Sequence, residues 1–293
     1  MRSGLAALIG RPGVGKSALL NRLVGEKVSI VTPVPLTTRG PVRAVQSGPD
    51  LQVVWMDTPA LHRPRHRLGE RMVRQAHAAA GDADVVVVVA DAGAGVTSDD
   101  EPALTAAKGS GHPVILVMNK SDRVEPAARI GIARAAAGET GVAEAFSVSA
   151  SSGEGLDDVS RAVSMHLPEG PEFFPPDVVT DLPEPVRIAE LVREQAFLMT
   201  RQEIPHALAV EVDEITPREG SEVIYVRAVV HVDREAQRKI LIGAGGKMLK
   251  RMGQTARPAI ETLLGARVYL DLWVKVTSRW YDRDELLARL YPD

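Results

Sequence analysis

Gly10-Arg11-Pro12-Gly13-Val14-Gly15-Lys16-Ser17 is the stretch that decides the fold. It fits the pattern G-x-x-x-x-G-K-[ST] of a phosphate-binding loop. Its setting fits as well: the apolar run Leu5–Gly10 reads as a strand leading into it, and Lys16–Val24 as an amphipathic helix leaving it. Glycine lets the backbone curl until successive N–H groups point at phosphate oxygens, and the helix N-terminus adds its dipole. Gly10, Gly13, Val14, Gly15, Lys16, Ser17 and Ala18 are therefore candidates for holding a nucleotide. Lys16 is expected to reach the β- and γ-phosphates, and Ser17 to offer its hydroxyl to Mg2+.

Working outward, Leu51–Asp57, Ala83–Asp91, Pro113–Asn119 and Ala143–Val148 read as further buried strands. Val85–Val89 shows no alternation, as expected for a parallel strand covered on both faces. Gly69–Ala80, Asp99–Lys108, Pro126–Ala137 and Leu156–Leu167 read as the helices between them. This alternation implies an α/β domain, a doubly wound and mostly parallel sheet, over residues 1–170. Asp57-Thr58-Pro59 ends one apolar strand, where a carboxylate can hold Mg2+ as the second acidic element of phosphate-loop enzymes does.

Asn119-Lys120-Ser121-Asp122 follows the strand Pro113–Met118 directly. This N-K-x-D sequence falls at the carboxyl edge of the sheet, where open α/β folds bind ligands. Guanine offers N1–H and a 2-amino group, which one carboxylate accepts together. Adenine lacks that donor pair, so Asp122 selects guanine, with Asn119 and Lys120 shaping the pocket. Ser149-Ala150, after the last strand, is expected to turn a backbone N–H toward the guanine oxygen.

The pattern changes at residues 168–185, where six prolines accumulate. Residues 171–185 read as a stiff linker. Beyond it, 186–293 reads as a smaller α+β domain: a helix, two strands, a helix pair, a strand and a short final helix. Ile242-Gly243-Ala244-Gly245-Gly246 lies between the paired helices. A G-x-x-G loop in that place is the signature of a KH domain, which clamps the backbone of single-stranded RNA. Arg234–Arg257 carries seven cations against Glu235 alone, although the whole chain has a net charge of −3.

The 293 residues contain no cysteine, which excludes disulfides, thiolate metal sites and cysteine nucleophiles. The apolar stretch at the N-terminus is too short for a signal peptide's core. No run approaches the roughly 20 residues that span a bilayer, so membrane contact is expected only at a surface.

With these motifs in this order, the sequence resembles a Ras-like, translation-factor-type GTPase, and more narrowly the Era family. Val28-Ser29-Ile30-Val31-Thr32-Pro33 leading into Thr37-Thr38-Arg39 resembles the family's first switch. There a threonine ligates Mg2+ when GTP is bound; Thr38 takes that role, with Thr37 second. Leu61-His62 through Leu68-Gly69-Glu70 resembles the second switch. Glu203-Ile204-Pro205-His206, and Trp273-Val274-Lys275-Val276 followed by Trp280 and Asp282, resemble the family's C-terminal type II KH domain. The resemblance implies a cytoplasmic, monomeric GTPase using GTP/GDP and Mg2+, with Lys16, Thr38 and Asp57 catalytic and Ser17, Thr38 and Asp57 on the metal. It implies binding to the 3′ end of small-subunit ribosomal RNA and assistance in maturing the small ribosomal subunit. Ile242, Gly243, Ala244, Gly245, Gly246, Lys247, Lys250 and Arg251 are the expected RNA contacts. Peripheral association with the inner membrane surface is a further partner to consider. The competing reading is a membrane-surface or cell-cycle signalling GTPase whose C-terminal domain binds protein or lipid.

The sequence departs from the family pattern at four places. Ala60 stands where the family has the glycine whose N–H meets the γ-phosphate, which restricts φ there. Leu61 stands where Ras-type enzymes place a water-orienting glutamine. In the G-x-x-G loop, Ala244 replaces the usual lysine. Gly13 replaces the asparagine that relatives use to bind an activating K+. Hydrolysis is therefore expected to respond weakly to K+, and a titration of K+ against Na+ showing strong K+-selective activation would refute that expectation.

Overall fold

The computed structural model describes residues 1–217, 220 and 222–291. The chain divides into two compact units. One holds Met1–Val31 and Pro35–Asp181; the other holds Thr32–Val34 and the described residues of 182–291.

The first unit is built on strands β1 (Arg2–Ile9), β2 (Val42–Gly48), β3 (Leu51–Asp57), β4 (Val85–Asp91), β5 (Val114–Asn119) and β6 (Glu144–Ser147). They lie in the order β2-β3-β1-β4-β5-β6. All pairs are parallel except β2 with β3. Helices α1 (Lys16–Val24), α2 (Arg67–Asp82), α3 (Glu101–Gly109), α4 (Arg129–Thr140) and α5 (Leu156–His166) alternate with the strands. The uniform run in β4 still obeys the two-residue period of a strand. Val85, Val87 and Val89 pack on one face with Leu19, Leu20 and Val163 of α1 and α5. Val86, Val88 and Ala90 pack on the other with Ala76, Leu104 and Ala133 of α2, α3 and α4.

Strand β2 is not legible as a strand in the sequence. Its residues, VRAVQSG, are half polar because it lies at a sheet edge and buries only Ala44 and Val45. That edge is covered by the proline-rich segment expected to be a linker over 171–185. The Val45 N–H donates to the Val179 carbonyl at 2.8 Å, and the Thr180 hydroxyl to the Arg43 carbonyl at 2.6 Å. Gln52, fully buried, accepts from the Phe173 and Phe174 N–H groups at 2.7 and 3.0 Å. Through Thr180 the segment is thus bonded to the first unit, because proline-rich chain is already extended and can lie along a strand edge.

The second unit runs α6 (Glu184–Met199), β7 (Leu208–Pro217), β8 (Val223–Val232), α7 (Glu235–Ile242), α8 (Lys247–Leu264), β9 (Arg267–Val276) and α9 (Asp284–Leu290). Its sheet has the order β7-β8-β9, antiparallel then parallel. Val226, Ala228 and Val230 of β8 pack against Ile188, Val192 and Phe197 of α6 and Met252, Ala256 and Ile260 of α8. Trp280 is fully buried, and its indole N–H donates to the Ala207 carbonyl at 2.8 Å.

In the first unit Trp55 is fully buried, and its indole N–H donates to Gln46 Oε1 at 2.9 Å. Trp55→Ala is expected to lower the stability of this unit by about 3–5 kcal/mol. Urea unfolding followed by far-UV circular dichroism measures it, and an unshifted first transition would show that β3 does not depend on this ring.

Candidate functional site

The phosphate loop sits where the strand order reverses, since β1 is flanked by β3 and β4. Open α/β sheets bind ligands at such a switch point, at the carboxyl ends of the strands. Gly10 follows β1, Asp57 ends β3, Asn119 ends β5 and Ser149 follows β6, so one sheet edge collects them.

Packing, not only dihedral freedom, dictates the loop glycines. A Cβ on Gly10 would run into the Val89 carbonyl, and one on Gly15 would lie 2.6 Å from Asn119 Nδ2. Gly13 has φ +79° with open space where a Cβ would stand. Asn119 donates from Nδ2 to the Val14 carbonyl at 2.9 Å and accepts from the Ala150 N–H at 3.1 Å. Lys120, itself at φ +66°, donates to the Gly13 carbonyl at 2.7 Å and to Asp91 at 2.8 Å. The N-K-x-D sequence therefore braces the phosphate loop from outside.

Lys16 is buried, and its ammonium donates to the carbonyls of Gly10 and Arg11 at 3.0 and 3.3 Å. Burial pulls its pKa down to about 8, against the opposing field of Asp57. Ala18 follows Ser17 within the first turn of α1.

Asp57 is fully buried. Its Oδ2 accepts from the hydroxyls of Ser17 at 2.6 Å, Ser29 at 3.1 Å and Thr38 at 3.2 Å. Ser17 and Thr38 also touch each other at 2.9 Å. Asp57 Oδ1 is buried without a hydrogen-bond partner. Burial raises the Asp57 pKa, opposed by Lys16 and the three hydroxyls. Ser29 has no such role in the sequence reading; its only signal there was its place at the start of the first switch. Thr37 is half-buried beside Thr38.

At the base end, Asp122 is exposed and accepts from the Ser149 hydroxyl at 2.6 Å. That bond holds its carboxyl below the usual range. Of the Ser149-Ala150 pair, expected to turn a backbone N–H toward the guanine oxygen, the Ser149 N–H donates to the Glu154 carbonyl at 3.0 Å and the Ala150 N–H to Asn119 Oδ1 at 3.1 Å. Ser149 is instead joined to this end of the site through its hydroxyl.

In the second switch, Leu61 is buried in the core beside Met56 and Ala76, and its N–H donates to the Gly10 carbonyl at 3.3 Å. Ala60 is buried and is not among the non-glycine residues with positive φ, so alanine fits this conformation without strain. His66 accepts the Gly69 N–H on Nδ1 and caps α2. His62 Nδ1 lies 2.7 Å from the Ala60 carbonyl.

In the second unit, the G-x-x-G loop joins α7 to α8. Gly243 is needed for close approach: with φ +71°, its Cβ would stand 2.7 Å from the Met248 Cβ. Gly245 and Gly246, at φ +58° and +76°, face open space. A groove of about 450 Å3 runs from Gly246 along Lys250, Gly253 and Arg257 of α8 to Tyr269 and Leu272 of β9. Lys250 and Arg257 thus come together there. Lys247, Arg251 and Ala244 do not line the groove, and Ile242 is half-buried at the end of α7.

These features together define a phosphate-loop GTPase with a C-terminal KH domain. A family model described as 50S ribosome-binding GTPase matches residues 5–120, and the KH domain model matches 203–281. GTPase Era of Carboxydothermus hydrogenoformans is 43% identical over 283 residues, 97% of this chain and 95% of that protein. GTPase Era of Thermotoga maritima is 41% identical, over 99% of this chain and 96% of its own length. A crystal structure of an Era variant from Aquifex aeolicus bound to GDP and AlF4− superposes with a TM-score of 0.96 at 38% identity, covering 100% of this chain and 99% of that one. Era in complex with MgGDPNP and nucleotides 1506–1542 of 16S ribosomal RNA gives the same score, identity and coverage. The chain belongs to the Era family, and it hydrolyses GTP.

The collision at Gly15 yields a direct test of the site. Gly15→Ala is expected to weaken binding of a fluorescent GDP analogue by about 100-fold or more, since it both strains φ and displaces a buried hydrogen-bonding amide. Wild-type affinity in this variant would show that Asn119 does not brace the loop.

Proposed function

We propose that this protein is a GTP-driven switch that grips the 3′ end of small-subunit ribosomal RNA through its KH domain and assists maturation of the small ribosomal subunit. The nucleotide site supplies the switch. Lys16 contacts the β- and γ-phosphates, with the N–H groups of Gly13 to Ala18 around them. Asn119, Lys120 and Asp122 hold guanine, and the depressed pKa of Asp122 keeps it a charged acceptor. Ser17, Thr38 and Asp57 hold Mg2+, which would neutralise charge on the phosphates. The fit rests on Asp57: a buried carboxylate ringed by hydroxyls, with one oxygen bare, suits a hard cation that takes oxygen ligands. Among the described residues no group of three or more His, Asp or Glu side chains could hold a metal.

Water attacks the γ-phosphorus and the bond to the β–γ bridging oxygen breaks, giving GDP and phosphate. Leu61 is in the core and His66 caps a helix, so neither orients the water. The residues named here act by positioning and charge, and intrinsic turnover is slow. Loss of the γ-phosphate frees Thr38 and the segment after Asp57, which changes the grip on RNA.

The observation that carries the RNA reading is the open, left-handed backbone at Gly245 and Gly246 beside the groove bearing Lys250 and Arg257. A phosphate strand fits against such backbone while bases enter the groove. It agrees with the relative solved with 16S ribosomal RNA. No helix among the described residues is long and apolar enough to cross a membrane.

The test is binding of a short single-stranded RNA matching the small-subunit ribosomal 3′ end, with a GTP analogue or GDP. Tight binding favouring the analogue, and abolished in Gly243→Asp and Gly246→Asp, is expected. No binding in either nucleotide state would overturn the RNA reading and leave the GTPase standing.

A further inference from the structure

The stretch His62–His77, like Arg234–Arg257, departs from the acidic balance of the whole chain. It holds Arg63, Arg65, Arg67, Arg71 and Arg74, with His62, His66 and His77, against Glu70 alone. Five arginines against one glutamate give a surplus of four, in a chain whose net charge is −3. No lysine is among them. Guanidinium forks bind phosphate oxygens in pairs and shed their water more readily than ammonium groups.

The fold turns most of these cations outward. Leu68, Met72, Ala76, Ala79 and Ala80 occupy the buried side of α2. Arg63, Arg65, Arg67, Arg74 and His77 are exposed. Arg67 and Arg74 stand seven residues apart on α2, about 10 Å along the helix axis, with Arg71 between them half-buried and its Nε out of solvent. That separation is long enough to meet more than one phosphate of a strand. A helix that inserts into a lipid surface needs a free apolar face. Here that face is already buried, which favours a phosphodiester backbone over a bilayer.

These arginines are also close in sequence to the nucleotide. Leu61 bonds the Gly10 carbonyl and His62 lies against the Ala60 carbonyl, so the arginines begin where the segment beside the phosphate loop ends.

We propose that Arg63–Arg74 is a second nucleic-acid contact, on the GTPase unit, that takes the sugar–phosphate backbone of RNA lying beyond the KH groove. It rests on the RNA reading above, and the following comparison separates the two. The full chain with a GTP analogue is titrated with two RNAs across a range of KCl. One is the short 3′-end strand; the other is the 1506–1542 segment named for the relative. The variant is Arg63→Gln/Arg65→Gln/Arg74→Gln, none of which holds nucleotide, and unchanged GDP affinity certifies its fold. For the long RNA, affinity is expected to fall about 10- to 100-fold near 0.1 M salt. The slope of log affinity against log salt is expected to drop by about 2 to 3, at roughly 0.7–0.9 for each phosphate no longer neutralised. The short strand should bind as before.

A parental slope on the long RNA, with the short strand still bound, would overturn this proposal alone. Equal losses on both RNAs would overturn it too, since the arginines would then act on the KH strand. Loss of binding to phosphatidylglycerol vesicles with no change on the long RNA would reassign the patch to lipid. Failure of the unsubstituted chain to bind the short strand would defeat the KH reading. In that case a salt-dependent hold on the long RNA that the triple variant lacks would still support this one.

Discussion

A carboxylate placed wholly out of water is expensive unless something compensates it, and Asp57 is such a group. Three hydroxyls crowd one of its oxygens, while the other is bare. The hydroxyls come from three separate parts of the chain: Ser17 from the phosphate loop, Ser29 and Thr38 from the two ends of the first switch. The demand of one buried charge therefore draws the switch, the loop and the end of β3 to a common point. Lys16, buried nearby and drawn down in pKa, is the complementary half. Burial disfavours the charged form of both groups, and a phosphate–cation ligand would stabilise those charged forms.

The opposite end of the site works through a lattice of hydrogen bonds. Asn119 ties Val14 to Ala150, and Lys120 ties Gly13 to Asp91. The guanine motif is consequently also the scaffold of the phosphate loop. Base recognition and phosphate recognition cannot be altered independently through these two residues.

Much of this was legible in the sequence because it is written in local patterns. The phosphate loop, Asp57 and N-K-x-D each follow an apolar run that ends at one sheet edge, so order along the chain implies convergence in space. Thr38 could be placed only through family resemblance, since a threonine in a loop has no local signature. Ser29 and the hydroxyl of Ser149 escaped notice because their roles arise from contacts between distant segments. Strand β2 escaped because an edge strand is half polar. Glycine is needed at 243 because a Cβ there would meet Met248, a packing contact that the G-x-x-G pattern itself does not announce. Among the loop cations, periodicity decides: Lys250 and Arg257 lie seven apart and share a helix face that opens on the groove.

The extended segment along β2 has a consequence for how the first unit can be isolated. An uncovered strand edge is a template for pairing with another chain. In this protein the cover comes from residues 173–180, after the last helix of the unit has ended. A fragment cut just behind α5 would keep the nucleotide motifs yet lose its own edge guard, and Gln52 would lose its bonds to Phe173 and Phe174 while keeping the one to the Ser47 hydroxyl. Self-association of such a fragment would then report on its cut point and not on the behaviour of the whole chain. The autonomous piece is set by where strand pairing stops, well beyond where the last helix does.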